Sequence, residues 1–161
     1  MRTLSRAVLL LLLCASARAD VVRPAPNFEL EGTARPASLR GFRGQPVVLV
    51  ITRSARDGDF RKEVGWLKDM FQQFASEKVV FVAAILNGPQ TVQSNIPFVI
   101  ASNPAQVAQD YGVERKFAIA VIGVDGNLDL ITYKVVPASR VRDAINNNFD
   151  FQQESRKQGG I

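Results

Sequence analysis

Two continuous apolar runs separated by one amphipathic stretch restrict most strongly what fold this sequence can adopt. Residues 47–51 (VVLVI) and 79–86 (VVFVAAIL) contain no charge, which is typical of strands covered on both faces. Between the runs, apolar side chains recur at helical spacing and predict a helix from about residue 59 to 76. These side chains are Phe60, Val64, Leu67, Met70, Phe71 and Phe74. A strand, a helix and a strand in this order require a parallel pair joined by a right-handed crossover.

The segments on either side of this unit predict the other elements of one α/β domain. In chain order they are a short strand around 28–30, one helical turn within 38–44, a weak helix near 90–94, an extended piece at 96–101, a helix over 104–110, strands over 118–124 and 128–135, and a last helix from about 137 to 148. Asp125, Gly126 and Asn127 between the last two strands are a strong hairpin signal. Because a hairpin requires an antiparallel pair, we predict a mixed sheet in a three-layer α/β/α sandwich.

The first 19 residues have the composition of a secretory signal peptide. Arg2 and Arg6 make the start positive, residues 7–13 are apolar, and small residues precede a cut at Asp20. The apolar run is far shorter than the ~20 residues of a membrane-spanning helix. We therefore expect export to the periplasm or the medium, with a domain over residues 20–150, a flexible tail over 151–161 and no integral membrane segment in the mature chain. An uncleaved anchor, or a lipid on Cys14, is the alternative for this segment.

Composition excludes several classes of site from the predicted mature chain. Cys14 is the only cysteine and the sequence has no histidine. A disulfide framework, a Cys/His zinc site, a cysteine nucleophile and a Ser-His-Asp triad therefore all lack their atoms. Without the three arginines of the first 19 residues, 17 basic side chains face 15 acidic ones, and the basic ones are scattered. This balance gives no support for a nucleic-acid partner.

Three separated stretches contain sequence motifs that point to a known family. Residues 25–30 with 38–49 read AP-x-F-x-L, then SL and F-x-G-x-P-V-V-L; residues 61–63 read RKE; and residues 111–113 read YGV, followed later by Asp125-Gly126. In this order and spacing, over nearly all of residues 24–148, they resemble the thioredoxin-like superfamily, in particular its peroxiredoxin and exported thiol-disulfide oxidoreductase branch. The resemblance implies a thioredoxin-like sandwich.

The same resemblance implies a reactive cysteine, within Pro-x-x-x-Thr-x-x-Cys, after the central strand. Without a gap, the proline, threonine and cysteine of that motif fall on Arg53, Asp57 and Phe60, and the family's later arginine falls on Phe117. A thioredoxin-type Cys-x-x-Cys would fall on Asp57 and Phe60, with its cis-proline on or near Phe117. A shifted alignment could bring Arg115 into the arginine role, but no shift supplies a cysteine. Because the chemistry needs an ionised thiol, we predict a degenerate, redox-inactive site with no catalytic residue, no cofactor and no metal.

The polar stretch between the central strand and the long helix is the candidate ligand loop. Ligands of open α/β sheets bind at this end of the strands, and a helix N-terminus favours an anion. The loop residues are Arg53, Ser54, Arg56, Asp57 and Asp59, and a ligand bound there would be a small anion or a partner's carboxylate. Alternatively, Asp57 caps the helix while the arginines pair with Asp57, Asp59 or Glu63. A calcium site on Asp57, Asp59 and Glu63 is the third interpretation.

Phe60, Phe117 and Trp66 each have a packing interpretation. Phe60 and Phe117 either repack a vacated active site or form an exposed apolar patch that binds a protein or a lipid. Trp66 lies beside the apolar stripe of the long helix and is expected to be a half-buried packing residue.

Two functions follow from these features. One is an exported, redox-inactive thioredoxin-like domain that acts as a binding or accessory module for another envelope or secreted protein. The alternative is an enzyme, either an oxidoreductase or peroxidase by family descent, or a non-thiol enzyme that uses the 53–59 loop. Without cysteine and histidine, Asp and Glu would have to carry every proton transfer near neutral pH. The binding module is therefore the favoured hypothesis.

Overall fold

The computed structural model describes residues 23–32 and 37–147 of the 161-residue chain. Its strands are β1 (Val47–Thr52), β2 (Val80–Ile85), β3 (Phe98–Ile100), β4 (Phe117–Ile122) and β5 (Leu128–Thr132); its helices are α1 (Gly58–Asp69), α2 (Phe71–Ser76), α3 (Pro104–Asp110) and α4 (138–147). The predicted signal peptide with Cys14 and the predicted tail over 151–161 lie outside the described residues. Within the described ranges, no helix has the length and apolar character that a membrane crossing requires.

The five strands form one mixed sheet in the order β3-β2-β1-β4-β5. The β1–β2 and β2–β3 pairs are parallel, whereas the β1–β4 and β4–β5 pairs are antiparallel. The central position of β1 explains its uninterrupted apolar sequence, since all six of its residues are buried. The mixed sheet predicted from the crossover and the hairpin is confirmed.

Alternate residues of β1 point into two separate cores on opposite faces of the sheet. Leu49 packs in one core with side chains from α3, and Val50 packs in the other with side chains from α1, α2 and α4. Both faces are therefore covered by helices, as the three-layer α/β/α sandwich requires. The expected packing role of Trp66 is also confirmed, since its half-buried ring lies against the second core.

Three local predictions differ from the structure. The helix expected over 59–76 is interrupted at Met70, whose φ of −107° and ψ of 6° leave the helical region between α1 and α2. The weak helix near 90–94 is absent, and residues 86–97 are irregular around Gly88 (φ +91°) and Pro89. The strand around 28–30 is reduced to two isolated bridges, Glu29 with Ser38 and Leu30 with Ala101. The single helical turn is confirmed as a 3-10 turn at Leu39–Phe42.

Candidate functional site

The loops that follow β1 and β2 meet at one edge of the sheet, because the carboxyl ends of parallel strands lie together. Backbone hydrogen bonds join them: Leu86 N–H donates to the Thr52 carbonyl at 2.9 Å, and Asn87 N–H donates to the Arg53 carbonyl at 2.8 Å. Arg53 N–H in turn donates to the Lys116 carbonyl at 2.9 Å, which ties in the start of β4. Backbone hydrogen bonds therefore hold the candidate ligand loop at the carboxyl ends of β1 and β2.

Asp57 caps α1, as one sequence interpretation proposed, but the arginines do not take part in the ion pairs there. The Asp57 carboxylate accepts a hydrogen bond from Asp59 N–H at 3.0 Å. Lys116 Nζ lies 4.0 Å from Asp57 Oδ1 and 3.4 Å from Asp59 Oδ2. Within the described residues, neither Arg53 nor Arg56 makes an ion pair, so the expected pairing through arginines is wrong. The cation comes instead from the loop before β4.

Phe60 and Phe117 are both buried in the second core, with 2% and 1% of their surfaces exposed. The Phe60 ring lies 6.3 Å from that of Phe98, which lies 5.8 Å from Phe81, so the first turn of α1 joins a row of aromatic contacts. The position at which the resemblance places a reactive cysteine thus holds a core side chain. The exposed apolar patch was the wrong interpretation, because both rings are covered.

Glu63 is the residue of this region whose environment sequence reasoning missed. It is fully buried, its Oε2 accepts a hydrogen bond from Val136 N–H at 2.9 Å, and its Oε1 has no partner among the described residues. Burial raises the pKa of this carboxyl from 4.5 to about 7, although the bond from Val136 opposes the rise. Helical spacing was the available signal, because residue 63 lies between Phe60 and Leu67 on the inner face of α1.

The position of Glu63 excludes a calcium site that includes its carboxylate, and it also leaves the carboxyl without access to a substrate. Asp57 and Asp59 lie beside Lys116, whereas Glu63 lies in the core, so the three side chains proposed for calcium are not brought together. No group of three or more potential metal ligands occurs in the part of the chain that the structure describes. A carboxyl with a pKa near 7 would suit acid-base chemistry, but this one offers no exposed surface to a substrate.

A cleft of about 1040 Å³ opens between α1 and residues 88–95. Three cationic side chains line it, Arg56, Arg61 and Lys68, and none of the lining residues is acidic. Val64 and Phe60, which are both largely buried, form its apolar floor, and Thr91, Gln93, Ser94 and Asn95 supply neutral polar side chains. We refer to this feature, with these residues, as the cationic cleft.

The cationic cleft only partly coincides with the predicted ligand loop. Ser54 and Arg56 line it, whereas Arg53, Asp57 and Asp59 do not. Sequence reasoning missed Arg61 and Lys68, although their separation of seven residues places them on one face of a helix, two turns apart. Sequence reasoning also missed the opposite wall of the cleft, residues 88–95, which follow β2 in the sequence and approach α1 only in the folded chain.

Gly65 lies in the interior of α1 on the wall of the cleft, and a Cβ built there meets no atom within 4 Å. Because alanine loses less backbone entropy than glycine in a helix, Gly65→Ala is expected to raise the free energy of unfolding by about 0.5–1 kcal/mol. Urea denaturation measures this change. Gly126→Ala is the control, since its φ of +82° disfavours a side chain and stability should fall. A loss of stability in Gly65→Ala would contradict the open space at this position.

Comparisons with known proteins agree with the fold. The model of the AhpC/TSA family matches residues 21–131. A thiol:disulfide interchange protein DsbE from Chlorobium tepidum has a TM-score of 0.64 and 22% identity over 76% of this chain and 93% of its own. Peroxidoxin BcpB from Mycobacterium tuberculosis has a TM-score of 0.62 and 20% identity, covering 78% of this chain and 96% of its own.

A third solved structure, thioredoxin peroxidase I from Plasmodium yoelii, has a TM-score of 0.60 and 19% identity, covering 87% of this chain and 94% of its own. At these identities the three neighbours show a shared fold. No curated protein sequence matches the chain. The family match covers more than half of the sequence, and the chain therefore belongs to the AhpC/TSA family within the thioredoxin-like superfamily.

Proposed function

We propose that this chain is a redox-inactive member of its family that works as a binding or accessory module for another envelope or secreted protein. The observation that carries the proposal is Phe60. The ungapped match to the family motif assigns the reactive cysteine to this position, and the Phe60 ring is 2% exposed within the second core. A phenyl ring can neither ionise nor attack a peroxide or a disulfide. Cys14, the only thiol in the sequence, lies in the segment that we expect to be removed.

The structure around Phe60 also supports a loss of thiol chemistry. A reactive thiolate needs neighbouring hydrogen-bond donors and positive charge to lower its pKa. Here the neighbouring positions hold Phe117, which is apolar and buried, and Asp57, whose carboxylate caps α1. Among the described residues, Glu63 is a buried carboxyl of this region, and burial raises its pKa to about 7. Phe60 lies in the first turn of α1 and lines the cleft with Arg56 and Arg61, but a buried phenyl ring has no group that these charges could ionise.

Export to the envelope or the medium is part of the proposal. It rests on the composition of residues 1–19 and on the DsbE likeness, since that neighbour is named as a thiol:disulfide interchange protein. The protein shares that neighbour's fold but not the cysteine pair that disulfide exchange requires. A partner protein, rather than a disulfide substrate, is the expected ligand.

Disulfide reduction tests this function directly. The chain is expressed with its own N-terminal segment in an exporting bacterium and purified from the periplasm or medium, where we expect Asp20 as its first residue. In an insulin-reduction assay with dithiothreitol, the exported protein should match a heat-denatured sample, while an active thioredoxin assayed in parallel should precipitate insulin. A full-length Cys14→Ser variant should give the same blank. Reduction above the heat-denatured control would overturn the redox-inactive assignment.

A further inference from the structure

We propose that the cationic cleft binds an extended acidic segment of a partner protein, in which two carboxylates flank an apolar side chain. The proposal rests on the proposed function as a binding module and assigns the surface that performs it. This surface lies on the side of α1 that faces residues 88–95, whereas Asp57, Asp59 and Lys116 lie on the side that faces the start of β4.

The charge of the cleft selects an anionic ligand. Arg56, Arg61 and Lys68 line it without any acidic neighbour in its wall. Within the described residues, none of the three makes an ion pair. The loop carboxylates Asp57 and Asp59 are already occupied by Lys116. An incoming carboxylate therefore displaces no existing partner, and the positive field of the cleft favours its approach.

The spacing of the cations favours an extended segment over a compact anion. Arg61 and Lys68 are separated by two turns of α1, which corresponds to about 10 Å along the helix axis. Val64 lies between them on the same face and forms the apolar floor of the cleft. A compact anion such as phosphate would require both side chains to converge on one point, whereas two carboxylates can each meet one of them. In an extended chain, side chains four residues apart lie on the same face and are separated by about 13 Å. The long side chains of Arg61 and Lys68 can adjust from their shorter separation along α1 to this distance.

Gly65 is the second observation that points to a bound chain. Glycine at this position destabilises α1 relative to alanine. No protein atom lies within 4 Å of a Cβ built there, so packing within the protein does not require a glycine. A side chain at this position would extend into the cleft between Arg61 and Lys68. The glycine is accounted for if the backbone of a ligand lies against α1 at this point.

The opposite wall supplies what the backbone of an extended segment needs. Thr91, Gln93 and Asn95 are exposed and line the cleft with groups that donate and accept hydrogen bonds. We therefore expect a ligand whose alternate side chains on one face are acidic, apolar and acidic. Its main chain would form hydrogen bonds with residues 91–95.

The probe is the C-terminally amidated peptide Gly-Glu-Thr-Leu-Thr-Glu-Gly, labelled with fluorescein on its N-terminal amine and titrated with the exported protein at low salt. We expect saturable binding that Arg61→Glu/Lys68→Glu weakens at least tenfold. Arg40→Glu/Lys134→Glu, which makes the same change in net charge outside the cleft, should leave the affinity unchanged. Gly65→Leu should abolish binding, and its urea denaturation curve should show a folded protein.

A control peptide in which both glutamates are replaced by glutamine should not bind. Binding of this peptide with the same affinity would overturn the inference, because it would exclude recognition of the carboxylates. Undiminished affinity in Arg61→Glu/Lys68→Glu would place the site elsewhere. If the wild type binds inorganic phosphate but not the peptide, the cleft is a small-anion site. Absence of peptide binding would leave the redox-inactive assignment intact, because insulin reduction tests that separately.

Discussion

Replacing Phe60 by alanine is expected to lower the free energy of unfolding by about 3–5 kcal/mol, as for other buried aromatic side chains. The ring is 2% exposed and contacts Phe98 at a centroid distance of 6.3 Å, so its removal leaves a void beneath the first turn of α1. The size of the loss therefore measures how strongly the side chain at the proposed cysteine position is part of the core. Urea denaturation followed by circular dichroism gives the value.

Phe60→Leu is the matched control for this substitution, because it keeps an apolar side chain of similar volume. It should cost less than about 1.5 kcal/mol. A Phe60→Ala variant within about 1 kcal/mol of the wild type would contradict the repacked core. A Phe60→Leu variant as unstable as Phe60→Ala would show that the aromatic contact, rather than the filled volume, stabilises this region.

The free energy of unfolding is expected to fall as the pH rises from about 4.5 to about 7, because of Glu63. Burial raises the pKa of its carboxyl from 4.5 to about 7 in the folded protein. The folded state therefore holds a proton that the unfolded chain has already released. The stabilisation is fully present below pH 4.5 and is lost as the pH rises through 7. Each tenfold change in proton affinity corresponds to ~1.4 kcal/mol, so the loss is on the order of 3 kcal/mol.

Urea denaturation at intervals between pH 4.5 and 8 measures this dependence. Glu63→Gln should flatten it, because the amide oxygen can still accept the bond from Val136 N–H but the side chain does not titrate. Glu114→Gln, a substitution at an exposed glutamate, is the control and should leave the slope unchanged. If Glu63→Gln retained the slope of the wild type, another group would be responsible for it.

The strongest sequence signals were local, and the structure confirms the elements that they predicted. β1 and β2 follow from uninterrupted apolar runs, and the β4–β5 hairpin follows from the Asp-Gly turn, whose Gly126 has a φ of +82°. The break at Met70 was hidden, because apolar side chains continue at helical spacing across it. Residues 86–97 gave a weak helical pattern, but Gly88 and Pro89 favour irregular backbone.

The site depends on residues that are distant in the sequence, and this limits what a sequence can predict of it. Helical spacing places Glu63 on the inner face of α1, but its hydrogen bond comes from Val136, 73 positions away, so its partner had no local signal. Lys116 pairs with Asp57 because β4 lies beside β1, whereas sequence proximity favoured the neighbouring arginines. The cationic cleft likewise forms where the loop beyond β2 meets α1. The assignment of Phe60 to the family's cysteine position, in contrast, stays a prediction that rests on the motif and its spacing.

Peroxide turnover tests the central claim most directly, because one solved structure with the same fold is named as a thioredoxin peroxidase. The exported protein and the full-length chain are each supplied with hydrogen peroxide and dithiothreitol, and peroxide consumption is followed. We expect both rates to equal those of heat-denatured samples, since we propose that the buried Phe60 stands where the family carries its reactive thiol. Catalytic consumption by either form, above its heat-denatured control, would contradict the assignment of a redox-inactive binding module.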